Sequence, residues 1–135
     1  MFYSNPADAG IDADALQTLA GIYGERATKL PPIAMVIAAY NEEGAVGPVV
    51  EKLPKTMCGL AAEVIVVADG CADATAKEAD AAGAIVADVP VNRGQGAALR
   101  LGYRIAREGG AEYIITTDAD GQYNSAEMPT LLQPI

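Results

Sequence analysis

Four short apolar runs, IAMVIAA (33–39), EVIVVA (63–68), AIVADV (84–89) and EYIITT (112–117), recur along the chain with a helix-patterned stretch after each. An apolar run of this length suits a strand buried on both faces. GAVGPVVEKL reads as the first intervening helix, with Pro48 tolerated in its first turn. Thr75 and Glu78 have capping-box spacing ahead of AKEADAA, and Gly83 can close that helix. GAALRLGYRIARE places Ala97, Leu101 and Ile105 on one face and ends at Gly109-Gly110, while Ser125 is placed to cap a last short helix. This β-α-β-α-β-α-β-α order predicts an α/β fold: a mostly parallel, Rossmann-like sheet with helices on both faces.

Residues 1–32 stand apart as an N-terminal helical extension to the sheet-forming part, 33–135. Leu16, Leu19, Tyr23, Ala27 and Leu30 recur at helical steps, which predicts an amphipathic helix, and Pro31-Pro32 stops it. The segment lacks a basic face, so packing against the main domain or a neighbouring subunit is favoured over a membrane-surface role.

The 135 residues make one domain of ordinary size. No apolar run approaches the roughly 20 residues that span a bilayer, and MFYSNPADAG lacks the features of a signal peptide. A cytoplasmic protein is the default expectation. A net charge of −9 argues against a nucleic-acid partner. Histidine is absent, which removes imidazole-based triads and His-ligated metal sites. Cys58 and Cys71 lack zinc-like spacing and are read as reduced thiols.

Each predicted strand leads into a polar cluster: Tyr40-Asn41-Glu42-Glu43, Asp69-Gly70-Cys71-Ala72-Asp73, Asn92-Arg93-Gly94-Gln95-Gly96, and Asp118-Ala119-Asp120-Gly121-Gln122. Ligands of such sheets bind at the carboxyl ends of the strands. NRGQG suits a phosphate, because its glycines admit close backbone approach, a helix N-terminus attracts anions and Arg93 adds a full charge. In extended backbone Asp118, Asp120 and Gln122 point the same way and present three oxygens together. Two carboxylates so close repel unless a cation stabilises both, and hard oxygen donors suit Mg²⁺ or Mn²⁺.

Three rival motifs fare less well. An EF-hand loop counted from Asp118 puts Pro129 where a bidentate acid is required. A dinucleotide fingerprint from Gly94-x-Gly96 meets Leu99 at its third glycine, lies on the third strand and leaves Asp120 unused. The signature of haloacid-dehalogenase-like phosphatases includes a DADG-like stretch, but Gln122 follows here and only 13 residues remain after it.

VIAAYNEE (36–43), VIVVADGCADAT (64–75), NRGQGAALRLGYRIA (92–106) and TTDADGQY (116–123) together resemble the family 2 glycosyltransferases of the GT-A fold. The likeness is to the branch of dolichyl-phosphate mannose synthases and polyprenyl-phosphate sugar transferases. It implies a nucleotide-diphospho-sugar donor held by Ala39, Tyr40, Glu42, Asp69, Arg93, Gly94, Gln95, Asp118, Ala119 and Asp120. Asp69 would take the base edge, and Asp118, Asp120 and Gln122 would hold Mg²⁺ or Mn²⁺. Inverting transfer to a polyprenyl phosphate would place a cytoplasmic protein at the inner membrane face.

The chain departs from the family pattern at Ala38 (for proline), Ala68-Asp69-Gly70-Cys71 (for Asp-Asp-Gly-Ser) and Gln95 (for lysine). The family's general base is expected beyond Ile135, so this stretch corresponds to the donor-binding part and should be a poor catalyst alone. Its unfinished sheet would leave an open edge, which predicts homo-oligomers. A non-catalytic nucleotide-binding or oligomerising module is the alternative, and a dinucleotide-binding domain a weaker one.

Overall fold

A computed structural model describes residues 6–119 and 133–134. The elements run α1 (Pro6–Tyr23), α2 (Glu25–Thr28), β1 (Ile33–Ala39), α3 (Val46–Lys52), β2 (Thr56–Met57), β3 (Leu60–Asp69), α4 (Thr75–Ala81), β4 (Ile85–Val89), α5 (Gln95–Glu108), β5 (Tyr113–Asp118) and β6 (Gln133–Pro134). All four predicted strands are present within a few residues of their expected limits. The helix anticipated at Ser125 lies outside the described residues.

The parallel strands lie in the order β4-β3-β1-β5, with Met35 opposite both Val64 and Ile115. The chain therefore builds outward from β1 in one direction, then returns to add β5 on the other side. At such a reversal a crevice opens at the carboxyl ends of the two adjacent strands, here β1 and β5.

Both faces of the sheet are buried, which is why the strand sequences are apolar without alternation. Met35, Ile37, Val64 and Val66 pack with Val46 and Val50 of α3 and Ala79 of α4. The intervening residues Ala34, Ile65, Val67 and Ile85 pack with Leu101 and Ile105 of α5 and Leu19 of α1. Helix α5 lies very close to β1: a Cβ on Gly102 would come within 2.3 Å of Val36 Cγ1.

The N-terminal extension differs from the expected single helix. It begins at Pro6 and breaks at Gly24, where φ is +59°, before the short α2. Of the expected apolar stripe, Leu19 and Ala27 are buried and Leu16, Tyr23 and Leu30 half-buried. The stripe also includes Asp12, only 1% exposed, which hydrophobic periodicity could not reveal.

This extension covers the outer edge of β4. The Val86 N–H donates to the Tyr23 hydroxyl (3.1 Å), which itself donates to Asp80 (2.7 Å). Arg26 donates to the Gly83 carbonyl and pairs with Glu63 at 2.9 Å. On the opposite side, β6 pairs antiparallel with β5 through Tyr113↔Pro134 and Ile114↔Gln133. The open edge anticipated as a reason for oligomers is thus engaged at both of these places.

One hairpin was not visible in the sequence. Thr56 and Met57 pair antiparallel with Ala61 and Leu60 around Cys58 (φ +53°) and Gly59 (φ +78°). Both turn residues have the left-handed conformation of a two-residue hairpin turn, usually signalled by Asn-Gly or Asp-Gly.

Candidate functional site

A cleft of about 350 Å³ lies at the carboxyl ends of β1, β3 and β5, lined by Ala39, Tyr40, Glu42, Asp69, Gly94, Gln95, Asp118 and Ala119, with Ala38 and Asn92. It occupies the crevice that the strand order creates. Of the donor-binding residues expected from the sequence, the structure brings all of these to one place. Arg93 does not line it, and Asp120 and Gln122 lie outside the described residues.

The loop after β1 and the loop after β3 are laced together. Asn41 Oδ1 accepts from Ala72 N (2.8 Å) and Glu43 Oε1 from Ala74 N (2.7 Å). In return, Asp73 Oδ2 accepts from Glu43 N (3.2 Å) and Thr75 Oγ1 from Glu42 N (2.8 Å). Glu78 accepts from both Gly44 N (2.8 Å) and Gly47 N (2.6 Å). Cys71 takes part as well, its sulfur 3.3 Å from Asn41 N. The lacing fixes the backbone that presents Tyr40, 52% exposed, and Glu42.

Thr75 and Glu78 therefore do not form the capping box that their spacing suggested. Their side chains reach across to the first loop, and the start of α4 has no side-chain bond from its N-cap residue, Ala74. Asp73 serves that end instead, accepting from Thr75 N at 3.0 Å. The Thr75 hydroxyl holds the Asp73 carboxyl below its usual pKa, outweighing the opposing desolvation, with lesser help from the Thr75 and Glu43 amides.

Asp69, 3% exposed, braces the third loop from inside. Its Oδ1 accepts from Arg93 N (3.0 Å), its Oδ2 from Gly94 N (2.9 Å), and its carbonyl from the Asn92 side chain (3.2 Å). The expected contact to a base edge would have to share oxygens already engaged by two amides. Gly70, with φ +67°, lets the loops approach: an added Cβ would lie 2.1 Å from Asn92 N.

Arg93, read from sequence as a cation beside a phosphate, has a side chain only 6% exposed that pairs with Asp12 of α1 at 2.7 Å. Sequence reasoning missed Asp12 because the two residues are 81 positions apart.

The cleft's charge is informative. Glu42, Asp69 and Asp118 line it, and among the described residues neither Lys nor Arg does. The positive influence available from the chain is partial. Helix α5 opens onto the cleft, and its first internal bond runs from Ala98 N to Gly94 O (3.1 Å). The amides of Gln95, Gly96 and Ala97 thus have no acceptor within the helix, the usual anion-attracting arrangement. Among the described residues no group of three potential ligands could hold a metal; Asp118, exposed at the end of β5, is the described member of the expected set. A single carboxylate suits Mg²⁺-type binding, which relies on one or two carboxylates and substrate phosphates.

A doubly wound sheet with a polar cleft at its strand-order reversal defines an α/β domain of the class that takes its ligands at the carboxyl ends of the strands. More specifically, the chain belongs to glycosyl transferase family 2, whose model matches residues 34–135. It is 35% identical over 103 residues to an uncharacterised protein of Methanocaldococcus jannaschii, covering 76% of this chain and 41% of that one. It is 30% identical over 111 residues to the dodecaprenyl-phosphate galacturonate synthase of Rhizobium johnstonii, covering 76% and 32% respectively. Among solved structures, it is similar to glucosyl-3-phosphoglycerate synthase from Mycobacterium tuberculosis in complex with Mg²⁺ and uridine diphosphate. That match has 28% identity and a TM-score of 0.52, over 77% of this chain and 37% of that one. The same enzyme in complex with Mn²⁺, uridine diphosphate and glucosyl-3-phosphoglycerate matches with 27% identity and a TM-score of 0.53, over 77% and 36%. The chain spans 32% to 41% of the length of the two curated relatives. No helix among the described residues is long and apolar enough to cross a membrane.

Proposed function

We propose that this chain is the donor-binding part of a glycosyltransferase, taking a nucleotide-diphospho-sugar together with Mg²⁺ or Mn²⁺. The supporting observation is the single cleft into which Ala39, Tyr40, Glu42, Asp69, Gly94, Gln95, Asp118 and Ala119 converge. Tyr40, at the end of β1, offers a ring face to the nucleoside. The amides at the start of α5 face the diphosphate. Asp118, with Asp120 and Gln122, would hold the metal, which supplies the charge that lets a diphosphate depart from the anomeric carbon.

The acidic lining makes this metal requirement strict. A nucleoside diphosphate entering beside three carboxylates meets net repulsion unless a cation comes with it. The structural neighbours crystallised with uridine diphosphate and Mg²⁺ or Mn²⁺ support this reading. A polyprenyl-phosphate acceptor is supported by the name of the Rhizobium relative.

Titration calorimetry with UDP and GDP, with and without Mn²⁺, tests the proposal. Binding should require the metal, and Asp118→Asn or Asp120→Asn should weaken it by on the order of tenfold or more. Affinity unaffected by Mn²⁺ and by both substitutions would remove the metal-nucleotide reading.

A further inference from the structure

The Asp12–Arg93 pair joins the N-terminal helix to the loop that opens onto the cleft. Both side chains are almost fully buried, at 1% and 6% exposure, and their contact is 2.7 Å. The other carboxylate oxygen of Asp12 is buried without a hydrogen-bond partner among the described residues. Burying a carboxylate so incompletely satisfied is a poor way to gain stability, because an apolar pair of similar volume commonly does as well or better. What the ion pair does give is direction: a guanidinium held by a buried carboxylate has one position.

That position matters because of what Arg93 is attached to. Its own amide donates to Asp69 Oδ1, and the next amide, that of Gly94, donates to Asp69 Oδ2. The backbone at 93–94 is therefore gripped between two acids. Asp69 holds it from the cleft side, and Asp12 holds it from α1 through the Arg93 side chain. Gly94 is the N-cap of α5, so the same grip fixes where the first amides of that helix point. Without Asp12 the Arg93 side chain would lose its 2.7 Å contact to α1, and the loop would no longer be held from that side.

We propose that Asp12 is a positioning residue for the donor site, acting through Arg93 to hold the 92–94 loop and the start of α5 in the geometry that receives the diphosphate. The N-terminal extension is then a functional part of the site although none of its described residues lines the cleft. This rests on the donor-site reading above.

The test compares the wild-type chain with two variants: the isosteric Asp12→Asn, and the double variant Asp12→Leu/Arg93→Met, which replaces the ion pair by apolar groups. The double variant should remain folded, because apolar groups of similar volume commonly replace a buried ion pair without loss of the fold. In both variants the Kd for UDP with Mn²⁺ should rise by on the order of tenfold, while the Kd for UMP changes less than about twofold. A folded double variant that binds UDP within about twofold of wild type overturns the proposal, as does equal weakening for both nucleotides. Failure of the wild-type chain to bind UDP with Mn²⁺ overturns the donor-site reading itself and this proposal with it.

Discussion

Replacing Asp69 by Asn separates two roles that the sequence alone assigns to one residue. If Asp69 served only to meet a ligand, its loss would leave the unliganded fold unharmed or even relieved of a buried charge. The geometry points the other way, since its oxygens accept from Arg93 N at 3.0 Å and Gly94 N at 2.9 Å. Hydrogen bonds to a charged acceptor contribute about 1.5–3 kcal/mol each, and a buried donor left unsatisfied costs about 1–3 kcal/mol. Asparagine keeps one oxygen acceptor and turns an NH₂ group toward the second amide. The expected loss is therefore on the order of 2–4 kcal/mol, partly offset by removing a buried charge. Asp69→Ala should cost more, because it removes both acceptors. Urea unfolding followed by far-UV circular dichroism gives the difference directly, with Asp118→Asn as the exposed comparison, expected within about 0.5 kcal/mol of wild type. An Asp69→Asn chain as stable as wild type would refute the argument that Asp69 braces the loop.

Gly70→Ala should destabilise the fold by about 2–4 kcal/mol, since the new methyl would meet the backbone at Val91 and Asn92 in a left-handed conformation; a midpoint in urea equal to wild type would contradict this. Tyr23→Phe should cost about 1 kcal/mol or more by leaving the Val86 amide without its acceptor. Burial, and then the hydrogen bond to Asp80, raise the Tyr23 pKa above its usual value. The neutral phenol is thus favoured in the folded state, so its contribution is fully present below about pH 10 and lost as pH rises through the folded value. Stability measured between pH 8 and 11 should fall at the alkaline end in wild type and less so in Tyr23→Phe; parallel curves would show that Tyr23 is not responsible.

The sheet was legible because burial on both faces leaves no choice but continuous apolar runs, and the site loops were legible because each polar cluster interrupts such a run at a strand's end. What the sequence concealed was partnership over distance. Nothing local marks Asp12 as the counter-ion of Arg93, and a helical stripe of Leu and Tyr gives no reason to include an acid. Thr75 and Glu78 show a capping spacing, yet their oxygens go to Glu42 N, Gly44 N and Gly47 N across the cleft rim. Asp69 was recognised as important from its place in a motif, while its bonds to Arg93 and Gly94 required the third loop to be seen folded against it. The hairpin at Cys58-Gly59 escaped because cysteine is not a usual left-handed turn residue.

The cover that α1 provides for β4 also sets an order of events during synthesis. The helix leaves the ribosome first, but Val86 lies 63 residues beyond Tyr23 and Arg93 lies 81 beyond Asp12. At roughly 5–20 residues per second, the second interval is on the order of 4–16 seconds. An isolated helix of 18 residues is marginal in water, so α1 must spend that time forming and melting with its apolar stripe exposed. The delay has a compensating effect. When β4 finally emerges, the segment that accepts from its Val86 amide is already made and tethered nearby, so the nascent strand has a partner from its own chain before it meets one from another.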